Sequence, residues 1–156
     1  ASPWPPSGIW AKKPVDSLDA LANLKIRTYD ANGTITLQEA GAAPIQLSCA
    51  DVVPPLSTGG IDAVLTSAEG GTNAKFWEQL SHFTEVNYAM PLNMIHINLD
   101  VWNDLSDANK EAVLTAAKAA EDHVWAALEK RVEQNYAEMK ANGLTVVTGV
   151  DAGYLE

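Results

Sequence analysis

Cysteine is almost absent from this chain. Cys49 stands alone among 156 residues, so no disulfide forms within one copy and no multi-cysteine metal site can be built. Positive charge is scarce as well. Ten lysines and arginines face twenty aspartates and glutamates, a formal net charge of −10. That balance argues against nucleic acid and anionic membrane surfaces as partners, while leaving room for a local basic pocket. No apolar run reaches the roughly 18 residues that a membrane-crossing helix needs. Catalytic signatures are missing too: there is no HExxH, no Walker loop and no GxSxG. His82, His96 and His123 lack ligand spacing, so no metal and no cofactor is expected. Gly70 and Gly71 lack the lysine of a phosphate loop and read as a plain turn. Cys49 has no base beside it and reads as a small buried residue. An enzyme is poorly supported.

What is present is a chain with 47% apolar residues, enough for a domain with a substantial core. Its opening, ASPWPPSGIWAKKPV, carries four prolines and two tryptophans with little periodicity. It reads as a connector over 1–16 in which Trp4 and Trp10 need some surface to cover them. Asp16 or Ser17 caps a helical turn over 18–22. A strand follows over 24–29, and Asp30, Asn32 and Gly33 form a turn. A helix over 34–41 is favoured over a strand, with Gly41 as its C-terminal cap. Ala43–Leu47 is a strand. Residues 50–57 form a helix with Pro54 and Pro55 in its first turn, ended by Gly59 and Gly60. Ile61–Leu65 is a strand, 67–71 a turn and 73–80 a short helix. Two further strands cover 86–89 and 94–98.

The clearest element comes last. Ser106 caps a helix whose stripe of Val113, Ala117, Ala120, Val124, Leu128, Val132, Tyr136 and Met139 advances in steps of three and four. Asn142 and Gly143 end it. At roughly 36 residues it is about 54 Å long, more than one small lobe needs. It therefore bridges two bodies, pairs with another helix or bends. Strands alternating with short helices suggest an α/β lobe with a largely parallel sheet over 17–104, followed by this helix over 105–143.

Chemistry gathers at strand ends. Along LKIRTY, Leu24, Ile26 and Thr28 alternate with Lys25, Arg27 and Tyr29. Arg27 is either part of a solvated edge or a guanidinium aimed at a ligand anion, whose carboxylate its planar fork would match. Asp30 ends the same strand. Thr66 and Ser67 end another, Asn87 and Tyr88 belong to a third, and Trp77 lies between. In open α/β sheets ligands sit outside such ends, so these residues suggest a small-molecule pocket.

The order of four stretches carries a resemblance. KKPVDSLDALANLKIRTYDANGT, EAGAAPIQLSCADVVPPLSTGGIDAV, KFWEQLSHFTEVNY and NLDVWNDLSDANKEAVLTAAKAAEDHVW follow one another over about 12–147. In this order the chain resembles the solute-binding proteins of tripartite ATP-independent periplasmic (TRAP) transporters. The resemblance implies a type II periplasmic-binding-protein lobe, with a mixed sheet flanked by helices and one long lobe-spanning helix. It implies a non-catalytic periplasmic receptor for a small organic acid, delivering it to membrane permease subunits.

By the same resemblance Arg27 clamps the ligand carboxylate, with Thr66, Ser67 and Cys49 at or near matching family positions; Thr66, Ser67 and Asn87 are expected to hydrogen-bond the ligand, and by their location Trp77 (or Trp10) walls the pocket and Asp30 borders it. The chain departs from the family pattern at several positions. Asn23 and Ala63 stand for glycines, Thr66 stands where asparagine is common, and Cys49 falls near an aromatic position of sialic-acid binders. Ser7 falls near their second arginine, so sialic acid is disfavoured. Family members are roughly twice as long. The chain is therefore expected to be a second-lobe fragment with a truncated segment at 144–156, and with apolar surface uncovered on the long helix and around Trp4 and Trp10. A swapped or helix-mediated homodimer could cover it. The alternative is a sensor or interaction module that oligomerises through the long helix.

Overall fold

Alternation along two buried strands sets the architecture. The structure, a computed structural model, describes residues 1–150. Its elements in chain order are β1 (Ser2–Pro3), β2 (Ser7–Ala11), α1 (Leu18–Leu21), β3 (Lys25–Thr28), α2 (Ala31–Glu39), β4 (Ala43–Gln46), α3 (Val53–Thr58), β5 (Ala63–Ser67), α4 (Ala68–Asn73), β6 (His82–Thr84), β7 (Leu92–Asn93), α5 (Leu99–Asp104), α6 (Asp107–Ala141) and β8 (Thr145–Val147). Six strands form one sheet in the order β4-β3-β5-β2-β6-β8, and β1 pairs with β7 in a separate ribbon. The sheet is mixed, not largely parallel. Strand β2 runs antiparallel to both β5 and β6, whereas β3 is parallel to β4 and β5, and β6 to β8.

Side chains on a strand alternate between faces, so each strand feeds two cores. Ile9 and Ala11 of β2 join Ala63 and Leu65 of β5, Ile26, Val15, Leu21 and Leu37 on the face covered by α1 and α2. Trp10 and Val64 join Val52, Leu56, Phe76, Phe83 and Met139 on the other face. Trp10 is wholly buried. Its ring meets Phe76 and Phe83 edge-on at centroid distances of 5.7 and 5.2 Å, and its Nε1 donates to the Ser67 carbonyl at 3.2 Å. Two glycines make room for these rings. A Cβ at Gly71 would lie 2.1 Å from Trp10 Cε2, and one at Gly8 would lie 2.4 Å from Phe83 Cζ.

This packing corrects the expectation that the opening has little regular structure and that Trp10 needs an outside surface to cover it. Residues 7–11 are a strand inside the sheet, and Trp10 is covered by the chain's own core, with Trp4 half-buried. Cys49 is also corrected: it is exposed, in a 3₁₀ turn over Cys49–Asp51. The turn expected at Asp30–Gly33 is the start of α2, capped by Asp30 Oδ1, which accepts from Gly33 N at 2.5 Å. The turn expected at 67–71 is α4, capped by Ser67. Lys75, at φ 52°, interrupts the helix expected over 73–80, leaving a 3₁₀ turn over Phe76–Glu78. Residues 86–89 form no strand. Asn87 turns left-handed at φ 50°, and the loop bonds to β2 through Ser7 N to the Ala89 carbonyl. Residues 94–98 have no partner strand and lie exposed.

Other expectations match. Ser17 caps α1, Pro54 and Pro55 open α3, Gly59 ends it at φ 76°, and Gly41 follows α2 at φ 87°. Asn23, the glycine position of the resembled motif, adopts φ 57°, a conformation asparagine tolerates. Helix α6 is 35 residues long, with Ser106 as its cap, or about 52 Å. Its expected stripe packs unevenly. Met139 is buried and Val124, Leu128, Val132 and Tyr136 are half-buried, but Val113, Ala117 and Ala120 are exposed. An ion pair from Arg131 to Glu69 ties its C-terminal half to α4. Residues 151–156 of the expected terminal segment lie outside the described residues.

Candidate functional site

Arg27 is not on a solvated edge. Strand β3 lies between β4 and β5, and Arg27 is only 3% exposed. Two backbone carbonyls hold its guanidinium: Nε donates to Leu47 O at 2.9 Å and Nη1 to Leu65 O at 3.3 Å. One carbonyl lies just past the C-terminal end of β4 and the other in the middle of β5, the two parallel neighbours of β3, so the bracket is a product of the parallel register. The Tyr29 ring adds a cation–π contact, 5.8 Å from Arg27 Cζ to its centroid. Among the described residues no carboxylate pairs with Arg27, and its Nη2 has no hydrogen-bond partner. No fully buried polar side-chain atom among those residues is left unpaired. Arg27 lines an open recess of about 660 Å³ with Tyr29, Gln46, Leu47, Ser48 and Cys49.

Burial lowers the Arg27 pKa, opposed by the neighbouring Cys49 and Tyr29. Guanidinium pKa values start so high that the group remains a cation at neutral pH. A buried cation with two anchors and no counter-ion suits an incoming anion: the burial cost is already met by the fold, and a carboxylate would complete the pairing.

The neighbouring residues form a polar and aromatic floor. Tyr29 OH and Ser7 Oγ share a hydrogen bond of 3.0 Å, and the Tyr29 and Tyr88 rings meet edge-on at 6.3 Å. Tyr88 OH donates to Asp30 Oδ1 at 3.3 Å. Burial raises the Tyr29 pKa, and burial together with the Asp30 charge pushes Tyr88 up to about 12. Thr66 belongs here by register. Arg27 pairs with Val64, so Arg27, Val64 and Thr66 share a face, with Thr66 half-buried.

The structure gathers Arg27, Thr66, Asp30 and Cys49 around this end of the sheet. Ser67 is there too, but its Oγ already accepts from Gly70 N at 3.0 Å and from Trp4 Nε1 at 2.7 Å. Asn87 is separate. It lines an apolar recess of about 390 Å³ with Leu18, Leu21, Leu37 and Val86, and its Nδ2 donates to Glu85. Trp77 packs against the core around Trp10 and Phe83, as Tyr136 and Val146 do, and does not line the Arg27 recess. Sequence reasoning passed over Tyr29, Gln46 and Ser48. Their signal was present: Tyr29 shares Arg27's side of the alternation, and Gln46 lies near the end of the strand expected over Ala43–Leu47. Among the described residues no group of histidine, cysteine and carboxylate side chains could hold a metal.

Comparison with known proteins bears on this arrangement. The model of the family described as bacterial extracellular solute-binding protein, family 7, matches residues 8–152. The sialic acid-binding periplasmic protein SiaP of Vibrio cholerae is 21% identical over 137 residues, covering 87% of this chain and 43% of that protein. DctP7 of Bordetella pertussis, an extracytoplasmic solute receptor binding pyroglutamic acid, superposes with a TM-score of 0.91 at 28% identity, over 99% of this chain and 51% of that one. A TRAP solute-binding protein from a marine metagenome, specific for pyroglutamate, gives 0.88 at 30% identity, over 99% and 50%. The chain thus spans about half the length of the relatives it matches, and within that half it has their α/β fold.

Proposed function

Since the chain belongs to family 7 of the bacterial extracellular solute-binding proteins, which are transport receptors and not enzymes, we propose that it forms the second lobe of a periplasmic TRAP receptor for a small organic acid. The observation that supports this most is Arg27, held by two carbonyls, free at Nη2 and without a carboxylate partner among the described residues. The ligand carboxylate pairs with its free edge. Thr66, Tyr29, Gln46 and Ser48 are placed to contact the rest of the ligand. In this reading 1–16 crosses from a first lobe, 17–104 forms the ligand-binding lobe and α6 spans both. Closure of the two lobes on the acid presents it to the permease. The pyroglutamate receptors among the similar structures make compact monocarboxylates the first candidates.

The test is a calorimetric titration, in a protein carrying both lobes, with a panel of organic acids that includes pyroglutamate. Truncating one side of a desolvated charge pair costs about 2–5 kcal/mol. Arg27→Gln is therefore expected to weaken binding at least about 30-fold, and unchanged affinity would refute the clamp. A second reading, an oligomerising interaction module, draws on the exposed apolar side chains between Met90 and Trp125. Light scattering separates the two: a first lobe over that surface leaves a monomer, and the module gives a stable dimer.

A further inference from the structure

A paired ribbon projects from the sheet body. Strands β1 and β7 pair with each other and with no other strand among the described residues, Ser2 opposite Asn93 and Pro3 opposite Leu92. Backbone bonds carry the pairing down to the body. Trp4 N donates to Pro91 O at 2.8 Å, Ser7 N to Ala89 O at 2.8 Å and Tyr88 N to Ser7 O at 3.0 Å. A lone two-stranded ribbon has little stability of its own. The angle at which it leaves the body is therefore set by what holds its base.

Three side-chain bonds hold that base, and all of them end on the strands around Arg27. Ser7 Oγ and Tyr29 OH share a bond of 3.0 Å, Trp4 Nε1 donates to Ser67 Oγ at 2.7 Å, and Tyr88 OH donates to Asp30 Oδ1 at 3.3 Å. Tyr29 and Asp30 directly follow β3, which carries Arg27, and Ser67 ends β5, whose Leu65 carbonyl accepts from Arg27. Tyr29 alone among these partners also lines the Arg27 recess. Its ring lies 5.8 Å from Arg27 Cζ, while its hydroxyl reaches Ser7, which is 1% exposed and outside that recess.

We infer that Tyr29 is a positioning residue that couples the anion site to the ribbon, its ring meeting the acid at Arg27 and its hydroxyl holding Ser7 at the ribbon's base. This rests on the reading of the recess as an acid site. It adds the route by which occupancy reaches the segment that enters from the first lobe. An acid paired with Arg27 packs on the Tyr29 ring and restricts its torsions. A restricted ring keeps the Ser7 bond closed for more of the time, so the ribbon's base opens less often. Coupling is reciprocal: a base held closed keeps the ring in place for the acid and raises affinity by the same factor.

Amide hydrogen exchange, followed by NMR at Ser7 and Tyr88, reads the opening of the base. The protein carrying both lobes is measured free and saturated with pyroglutamate, then with each further acid of the panel that binds. In the wild type, saturation should slow both amides about fivefold or more, the lower end of measured couplings. In Ser7→Ala, and in Tyr29→Phe, which keeps the ring, that slowing should disappear. Affinity should fall about fivefold in each, the size of one net hydrogen bond.

A bond that is only structural would give another pattern. Its loss would speed exchange equally in the free and saturated protein, leaving their ratio at the wild-type value, and that result would overturn the inference. The wild type alone supplies a check that a misfolded variant cannot disturb: bound acid with no slowing at Ser7 and Tyr88 also overturns it. Calorimetry on the same samples separates the two claims. Arg27-dependent binding with unchanged ribbon exchange refutes only the coupling. Binding of no acid in the panel refutes the receptor reading, and the coupling with it.

Discussion

Two parts of this molecule treat apolar side chains in opposite ways. The sheet body buries Trp10, Phe83, Ile9, Ile26, Val64 and Leu65 to 2% exposure or less. The arm made of β7, the segment to α5, α5 itself and the first half of α6 leaves them in the open. Ile95 is 96% exposed, Leu99 69%, Met94 65% and Leu114 59%. Ten of the fourteen large hydrophobics exposed among the described residues lie between Met90 and Trp125. Single exposed hydrophobics need no explanation, but a contiguous set marks an interaction surface. The body packs its apolar side chains on itself, whereas the arm leaves its own open to a partner surface. This contrast fits the proposed division of labour: a rigid lobe that positions Arg27, and a long helix that reaches away from it.

The largest expected effect breaks the body. Trp10→Ala removes a ring packed between Phe76 and Phe83 and should cost about 3–5 kcal/mol, read as a fall in the urea midpoint. If the midpoint moved by less than a quarter of that, Trp10 would not be central to the core. A smaller effect comes from three half-buried phenols of the body. Tyr29 and Tyr136 titrate above the ordinary phenol range near pH 10, raised mainly by burial, and Tyr88 titrates at about 12.

The sign follows from linkage. Between pH 10 and 12 the unfolded chain loses phenol protons that the folded chain keeps, so stability is intact below pH 10 and declines as pH rises through that window. Absorbance of tyrosinate alongside denaturant titrations at pH 9, 10, 11 and 12 checks this. Tyr88→Phe should flatten part of the decline and cost about 1 kcal/mol at neutral pH through the lost bond to Asp30. A decline as steep as in wild type would remove Tyr88 from the account. The smallest effect on stability belongs to the arm. Ile95→Ser should change the unfolding free energy by less than about 0.5 kcal/mol while reducing the binding of a hydrophobic dye. A strong destabilisation would show that the arm is packed after all.

Much of the scaffold was legible in the sequence because its causes are local. Ser17, Ser106, Pro54, Gly41 and Gly59 mark helix ends through caps and backbone preference, and the alternation around Ile26 marks β3. The central strand β2 was not legible. Its proline-rich approach imitates a linker, and its strand character comes from Phe83, Gly71 and Val64, which are remote in the chain. The loop at 86–89 was misread because Asn87 turns left-handed while its neighbours keep strand-like composition.

The site was half legible for the same reason. Arg27 stood out by residue type. Its burial and its bracket depend on Leu47 and Leu65, 20 and 38 residues away, and only the fold brings them together. Cys49 reads as buried from composition, yet the fold leaves it exposed beside the arginine. Trp77 was placed near the site by chain order alone, and its ring packs on the core around Trp10 and Phe83, away from the recess.

The central claim is that Arg27 is an anion site prepared by the fold and not a structural charge. The direct measurement is calorimetry of small organic acids against the two-lobe protein and its Arg27→Gln variant, with folding of both verified by circular dichroism. The account predicts binding of at least one carboxylate by the wild type, weakened about 30-fold or more in the variant. Equal affinity in the two folded proteins would contradict it.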